Sequence, residues 1–387
     1  MKRIQSIDIV RGLVMVLMAL DHVRDLMHVD SISQSPTDLS VTTPYLFFTR
    51  WITHLCAPIF VFLAGTSVYF SVQQAGDIQA SKKHLRKRGI WLIILEFSIV
   101  NFALFFDVGF HTFLFEVIAS TGFGFIILSL LLTFSANFTG LLGLIIILAH
   151  NLLLLLPIAE HLAINTLLMP FFNLSAFPLF ADKMLVVAYP PIPWLGIMLL
   201  GYSMARIFEW EPEKSKKMFS RIGLGMLVIF VLIRYWNAYG DPLPWSLQMK
   251  QGFTFLSFLN ISKYPPSLLF CFITLGIMFF ILALVENLPE GLKKFLRVYG
   301  RVPLFYFVIH FYLIHILTLL MLFLQGFPWH LFSFSKGTFG RPLGVESGLS
   351  LWAVYLVWVF VVLLLYKPCE WFGRYKMMHP KWWLRYF

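Results

Sequence analysis

The sequence predicts an all-α fold, a polytopic bundle of about ten transmembrane helices. Apolar residues make up 59% of the 387 residues and charged residues only 13%, against about 25% charged in an ordinary soluble domain. The mean hydropathy is +0.79, and apolar stretches occur from one end of the chain to the other. A water-facing surface cannot be built from this composition, so we expect an integral membrane protein.

Ten stretches are long and apolar enough to cross a bilayer, which takes about 20 helical residues. They lie at 7–28, 45–72, 89–106, 114–134, 138–157, 184–207, 219–236, 265–286, 301–325 and 349–366. The segment 158–183 leaves room for a re-entrant piece. We expect a single transmembrane domain over 1–366 and a basic, aromatic tail over 367–387 that lies along the cytoplasmic interface.

The basic residues predict the orientation of these helices. Ten crossings place most of the 30 Lys and Arg on one side, in clusters at 2–3, 82–88, 206–221, 293–301 and 367–385. Cytoplasmic loops are rich in Lys and Arg, so both termini are expected in the cytoplasm. The net charge of +11 then reflects topology, and nucleic-acid binding is not expected. The basic cluster 82–88 is explained by topology and by binding to anionic lipid headgroups; binding to the phosphates of a nucleotide donor is the alternative.

The start of the chain and its cysteines give further bounds. Lys2 and Arg3 precede an apolar run as in a signal peptide, but no small-x-small cleavage site follows, so we expect a retained first helix.

Cys56, Cys271 and Cys369 have no metal or redox spacing, and no metal is expected. Without organelle signals, a bacterial cytoplasmic (inner) membrane is the simplest location. A homo-oligomer is compatible with the sequence.

The first helix carries the most charge at membrane depth. Arg11 and His22 are eleven residues apart and share one helix face, about 16 Å from each other along the axis. Asp25 follows His22 by three residues, a spacing at which its carboxylate can orient the imidazole. Placing a charged side chain within a bilayer costs several kcal/mol, so each such residue is expected to have a structural or functional role.

The second helix carries Arg50 and His54, one turn apart. Counted from the helix ends, His54 and His22 lie at similar depth, and we expect them to face one cavity. A cluster of two histidines, two arginines and an aspartate at one level favours a functional site over helix locking. The run from Pro58 to Gly65 is typical of close packing through small residues.

The other buried polar residues are individually expected to be structural. They are Glu96, Asn101, Glu116, His150, His310 and His315. His310 is the strongest candidate among them, because Tyr306 lies four residues before it. The repeated Tyr-Pro-Pro at 189–191 and 264–266 opens two helices; ordinary helix starts explain it, and broken helices around a cavity are the functional alternative.

Several familiar chemistries have no support in the sequence. There is no Walker loop, no dinucleotide-binding fingerprint, no metal-ligand spacing and no Gly-x-Ser-x-Gly elbow. ATP-driven transport and serine hydrolysis are therefore not expected.

The segments SIDIVRGLVMVLMALDH and THLCAPIFVFLAGTS resemble the catalytic-domain family of heparan-α-glucosaminide N-acetyltransferase. YPPIPWLGIMLLGY, KYPPSLLFCFITLG and GRVPLFYFVIHFYLIH extend this resemblance over essentially the whole chain. Arg11 and His22 also match a pattern of the bacterial membrane O-acyltransferases that decorate surface glycans. Both families move an acyl group from cytoplasmic acyl-CoA to an acceptor across the membrane.

The resemblance implies a membrane acyltransferase that carries an acetyl group from acetyl-CoA to a saccharide or small-molecule acceptor at the outer face. His22 is then the general base or an acyl carrier, supported by Asp25. Arg11 contacts the CoA phosphates or the pantetheine path. His54 is a second base or positions the acceptor, and Arg50 stabilises developing negative charge. The catalytic histidine is left open among His22, His54 and His28, because an asparagine aligns with His22 in the family's lysosomal enzyme.

Two other classes of function stay open. A transporter or flippase of a small solute or lipid-linked sugar suits the two Tyr-Pro-Pro helix starts and the buried charges. A membrane sensor or scaffold would leave the charged cluster without a task.

Overall fold

The computed structural model describes residues 4–155, 163–379 and 381–386, and these are mostly helical. The first eight α-helices are α1 (Gln5–Met27), α2 (Pro44–Thr53), α3 (Cys56–Ala75), α4 (Ile78–Leu95), α5 (Asn101–Phe105), α6 (Val117–Leu131), α7 (Ala136–Ala149) and α8 (Ala163–Phe172). The others are α9 (Pro191–Met204), α10 (Pro212–Trp236), α11 (Phe253–Leu259), α12 (Leu268–Leu284), α13 (Glu290–Arg301), α14 (Pro303–Leu324) and α15 (Leu351–Met378). A π-helical segment, Glu96–Val100, joins α4 to α5.

The polytopic helical fold predicted from the sequence is confirmed. In the described residues, seven helical stretches are long and apolar enough to cross a membrane: Pro44–Ala75, Ile78–Phe105, Pro191–Glu209, Pro212–Trp236, Leu268–Asn287, Pro303–Leu324 and Leu351–Met378. Helices α6 and α7 are apolar but shorter. Each predicted span contains a helix, while the count of ten and the cytoplasmic termini stay predictions. The end of the span 138–157, the first residues of the possible re-entrant segment, and residues 1–3, 380 and 387 of the predicted termini lie outside the described residues.

The second predicted span is not one continuous helix. Helix α2 ends at Thr53 and α3 begins at Cys56, with His54 between them. Pro58 explains the break, because a proline ring clashes with the carbonyl of the residue four positions earlier, which is His54. The interruption places His54 at a corner between two helices.

A three-stranded sheet packs against the π-helical segment and α6. Its strands are β1 (Thr112–Phe115), β2 (Ser175–Pro178) and β3 (Met184–Val187), with β3 in the centre, parallel to β1 and antiparallel to β2. Helix was predicted for the first residues of the spans 114–134 and 184–207, and this was wrong where β1 and β3 form. Backbone groups outside a helix need other partners, and the strands supply them to one another.

Glycines let the helices that carry the site approach backbone to backbone. A Cβ atom on Gly65 of α3 would lie 2.0 Å from the Met198 carbonyl oxygen of α9. One on Gly12 of α1 would lie 1.9 Å from the Leu296 carbonyl oxygen of α13. The close packing predicted for the run from Pro58 to Gly65 is confirmed, and α1 is held by its own glycine contact.

Candidate active site

A central cavity of about 320 Å³ lies beside α1. Its wall has an apolar part from α1, α3 and α14 and a polar part near the sheet. The polar lining consists of Asp21, His22, Asp25, Ser31, Thr53, Glu116, Tyr189, Lys263 and Tyr264. An apolar cavity with a few convergent polar groups is the usual form of a small-molecule site.

His22 is held by a histidine from a distant helix. Its Nδ1 atom lies 2.7 Å from His310 Nε2, and His310 Nδ1 lies 2.9 Å from the carbonyl oxygen of Tyr306. The two imidazole centroids are 4.9 Å apart with planes 27° from each other. That separation fits an edge-to-edge N–H···N bond, in which both rings are nearly in line.

Hydrogen-bond accounting assigns the protons in this chain. A carbonyl oxygen only accepts, so His310 Nδ1 carries the proton donated to Tyr306. In the neutral ring, His310 Nε2 is then an acceptor, and His22 Nδ1 must be the donor to it. The lone pair of neutral His22 therefore lies on Nε2, the nitrogen that a general base uses. His310, the strongest of the secondary candidates, thus sets the tautomer of His22.

Asp21, next to His22 in the sequence, is the centre of a buried ion cluster. Its Oδ1 atom lies 2.7 Å from an Nη atom of Arg24 and accepts a hydrogen bond from Thr53 Oγ1 at 2.7 Å. Its Oδ2 atom lies 2.5 Å from an Nη atom of Arg50. One carboxylate thus ties α1 to α2 and brings two cations to the level of His22. Sequence reasoning did not single out Asp21.

The structure corrects the partner expected for Asp25. Its carboxylate pairs with Arg24 at 2.5 Å, while His22 Nδ1 is bonded to His310. Asp25 and His22 line the same cavity, but Asp25 does not orient the imidazole through Nδ1. The two residues share a helix face, as the spacing of three residues predicts, but their hydrogen-bond partners are different residues.

The expectation that His22 and His54 face one cavity is also wrong. His54 lines a second cavity of about 470 Å³, which we call the vestibule. Arg24 and Arg50 line the vestibule as well. The two cavities share Asp25, Lys263 and Tyr264 in their walls. The break before α3 turns His54 away from the central cavity and against the ring of Phe270, at a centroid distance of 5.6 Å.

The two Tyr-Pro-Pro segments meet at the wall between these cavities. The rings of Tyr189 and Tyr264 are 5.3 Å apart at 76°. Lys263 is 7% exposed, and its Nζ atom lies 5.8 Å and 5.1 Å from those two ring centroids. The structure therefore supports the arrangement of paired helix starts around a cavity. Lys263 was missed because a lysine in a loop is ordinary until the fold buries it.

Glu116 is a third acidic residue in the lining of the central cavity, beside Asp21 and Asp25. It lies between β1 and α6, outside the seven helical stretches of the described residues that are long and apolar enough to cross a membrane. Burial is the largest cause that raises the pKa of this carboxyl; the positive charge of Lys263 opposes the shift, the negative charges of Asp25 and Asp21 add to it, and the resulting pKa is about 7. Glu116 can therefore change its charge near neutral pH.

Arg11 and His28 lie beyond the two ends of the cavity lining. Arg11 donates to Ser67 Oγ at 2.7 Å and lies 3.6 Å from the carboxylate of Asp8. His28 ends α1, where its carbonyl accepts a hydrogen bond from Arg341 at 2.7 Å. Its ring Nδ1 accepts a long bond, 3.3 Å, from the backbone N–H of Asp30. His28 lines neither the central cavity nor the vestibule.

Four of the secondary polar candidates bind backbone groups, as expected for structural residues. Asn101 bonds both the carbonyl of Thr112 and the N–H of Leu114, which fixes β1. The remaining three anchor helix ends and a loop: Glu96 accepts from Ala119 N, His150 contacts the Pro266 carbonyl, and His315 contacts the Leu104 carbonyl. These bonds satisfy buried groups and position the walls of the site.

Comparison with known proteins gives one family. The model of the heparan-alpha-glucosaminide N-acetyltransferase catalytic family matches residues 3–236, more than half of the chain. This segment contains α1 to α10 and hence His22, Asp21, Arg50 and Glu116. Lys263, Tyr264 and His310 lie after the matched segment. A comparison with curated proteins finds no match.

Proposed function

Since this chain belongs to the catalytic family of heparan-alpha-glucosaminide N-acetyltransferase, we propose that it is an acyltransferase using acetyl-CoA as donor. In this proposal the acetyl group passes from cytoplasmic acetyl-CoA to a saccharide or related acceptor at the outer face of a bacterial cytoplasmic membrane. The observation that carries the proposal is the chain from Tyr306 through His310 to His22, which leaves a basic nitrogen on a residue of the cavity wall.

His22 is the proposed general base. Its Nε2 atom takes the proton from the hydroxyl or amino group of the acceptor as that group attacks the acetyl carbon. The new bond to the acceptor forms, the thioester C–S bond breaks, and the imidazolium returns the proton to the sulfur. The products are the acetylated acceptor and free CoA, so no oxidant or further reactant is needed.

Asp21 and His310 support the base in different ways. His310 holds the tautomer, because its Nε2 accepts the Nδ1 proton of His22. The Asp21 carboxylate lines the same cavity and offsets the positive charge of the imidazolium. Arg24 and Arg50 keep Asp21 ionised and in place through contacts of 2.7 and 2.5 Å. We therefore propose that Arg50 acts through Asp21, in addition to facing the acceptor from the vestibule.

The shape of the central cavity suits a donor that enters from the N-terminal end of α1. Val14, Met15 and Met18 line it below His22, so it extends about 12 Å along α1 at 1.5 Å per residue. Arg11 lies one further turn toward the N-terminus. Its guanidinium is proposed to bind the phosphates of acetyl-CoA, with the apolar lining around the acetylated arm.

A transporter or flippase is the second candidate. The observation in its favour is that two cavities share a wall formed by Asp25, Lys263 and Tyr264, at the meeting point of two broken helix starts. Helix breaks of this kind line substrate paths in secondary transporters. Transport would move a solute past this wall unchanged, whereas acyl transfer changes it covalently.

The decisive experiment follows a radiolabelled acetyl group from acetyl-CoA to a mixture of saccharide acceptors, with purified protein in proteoliposomes. We expect labelled product from the wild type and from His330→Gln, which changes an exposed histidine. His22→Gln should reduce the label transferred by at least about a hundredfold, within the range attributed to general bases. Folded wild-type protein that transfers no label from any acyl-CoA, or uptake of an unmodified solute, would overturn the proposal.

A further inference from the structure

The vestibule is lined by more hydrogen-bond donors than the protein itself uses. Arg24, Arg50, His54 and Lys263 all line it. Arg24 is 2% exposed, His54 4% and Lys263 7%. Buried charged donors are normally paired, because an unpaired one loses its hydration without compensation.

Two of these side chains hold buried nitrogens without a hydrogen-bond partner in the described residues. They are an Nη atom of Arg24, whose other Nη atom serves Asp21 and Asp25, and the Nδ1 atom of His54. Lys263 makes no ion pair with a described residue, and its Nζ atom lies near the faces of two tyrosine rings. Arg24, His54 and Lys263, from three separate elements, thus each bring a nitrogen without a hydrogen-bond partner in the described residues to one cavity.

In the described residues, the acidic side chains around the vestibule form no hydrogen bond or ion pair with these unused donors. Glu116, whose carboxyl interacts electrostatically with Lys263, lines the central cavity and not the vestibule. Asp21 is bonded to Arg24, Arg50 and Thr53. Asp25 is bonded to Arg24. Asp38 lies at the exposed mouth of the vestibule and accepts hydrogen bonds from Ser40. The donors of the inner vestibule therefore face a space that suits an anion.

We infer that the vestibule is a specificity subsite for an oxyanion on the acceptor, a carboxylate or a phosphate carried by the sugar next to the group that is acetylated. Arg24, His54 and Lys263 supply the donors. Its volume of about 470 Å³ lies in the usual range of small-ligand sites. The inference rests on the proposed function and names its acceptor class.

The connection between the cavities explains how such a subsite would serve the reaction. Lys263 lies in the walls of both the vestibule and the central cavity. An acceptor whose acidic group is bound by Lys263 has its neighbouring hydroxyl or amino group directed past Asp25 and Tyr264 toward His22. A neutral sugar has no such anchor and leaves the buried donors unpaired.

The test is binding of glucuronate, glucose 6-phosphate, glucose and inorganic phosphate to the purified full-length protein in detergent, by calorimetry without acetyl-CoA. We expect one or both sugar acids to bind at least about tenfold more tightly than glucose and inorganic phosphate, since each charged hydrogen bond contributes appreciably. Lys263→Met should abolish this preference and Lys263→Arg should retain most of it. Lys250→Met is the matched control, because Lys250 lies on a neighbouring loop but outside the vestibule lining.

Three outcomes would overturn the inference. In the first, glucose binds as tightly as both sugar acids. In the second, Lys263→Met binds the sugar acids as tightly as Lys250→Met does. In the third, inorganic phosphate binds as tightly as the sugar acids. His54→Phe guards against a folding defect at Lys263, since the apolar ring keeps the contact with Phe270 and removes the Nδ1 donor; it should also weaken binding. Acetyl-CoA binding to the same samples reports separately on the proposed function.

Discussion

Replacing Glu116 by glutamine should make the protein more stable at pH 8 but not at pH 4.5. The substitution removes one ionisable carboxyl from the central cavity and keeps the size of the side chain. Burial raises the pKa of this group from its ordinary 4.5 to about 7. At pH values between 4.5 and about 7, Glu116 therefore keeps its proton in the folded protein but has released it in the unfolded chain.

The sign and size follow from this difference. Below pH 4.5 both states are protonated and the carboxyl costs nothing. As pH rises toward 7 the folded state loses stability relative to the unfolded state, and above 7 the full cost is present. A shift from 4.5 to about 7 corresponds to roughly 3 kcal/mol. Because the carboxylate faces a cavity that water can enter, we take this as an upper limit.

The assay is thermal unfolding of the purified protein across pH 4.5 to 8, which needs no substrate. We expect the Glu116→Gln midpoint to rise above that of the wild type as pH increases, with the gap complete near pH 8. Glu213→Gln, which changes an exposed carboxylate at the start of α10, should track the wild type. Parallel curves for Glu116→Gln and wild type at all pH values would refute the electrostatic reasoning.

The remaining predictions concern the base, the ion cluster and the helix packing. His310→Met should lower kcat roughly 10- to 100-fold, because His22 loses the acceptor that sets its tautomer and a hydrogen bond contributes about 1–3 kcal/mol. His310→Gln keeps a hydrogen-bond acceptor and should recover most of the rate in the same assay. Equal rates for His310→Met and His310→Gln would contradict the role of His310 in setting the tautomer of His22. Asp21→Asn should destabilise the fold by about 3–5 kcal/mol in denaturant titration, since Arg50 loses its charge partner and Arg24 keeps only Asp25; a loss below about 1 kcal/mol would contradict this. Gly12→Ala should cost about 1–3 kcal/mol because its Cβ meets a backbone carbonyl, whereas Gly225→Ala, with open space around it, should be neutral or slightly stabilising.

The helical bundle could be predicted because its signal is compositional. Charge depletion and long apolar runs determine where helices can lie in a bilayer. The departures from the predicted spans are local. Pro58 breaks the second span at His54, a signal that was present in the sequence. The short strands β1 and β3 have no such signal, since four apolar residues beside a helix look like its first turn.

The candidate site was only partly predictable for a different reason. His22 and Arg50 are conspicuous as polar residues within apolar runs, and both are near the central cavity. Their partners are set by the tertiary fold. His22 is bonded to His310, 288 positions along the chain, while the nearby Asp25 pairs elsewhere. Helical spacing shows which residues share a face, but not which of them touch.

Lys263 illustrates what sequence reasoning cannot supply. It precedes a Tyr-Pro-Pro turn in a loop, where a lysine is normally solvated. Only the meeting of Tyr189 with Tyr264 buries it between two cavities. The family match ends at residue 236, so Lys263 and Tyr264 bring to this wall of the site a part of the chain beyond the matched segment.

The most direct test of the central claim is equilibrium binding of acetyl-CoA to the purified protein in detergent, measured by calorimetry. The account predicts saturable binding by the wild type and by Arg301→Met, which changes an exposed arginine at the end of α13. It predicts binding at least about tenfold weaker for Arg11→Met, whose guanidinium is proposed to contact the donor phosphates. Wild-type protein that is folded and binds neither acetyl-CoA nor a longer acyl-CoA would contradict the account.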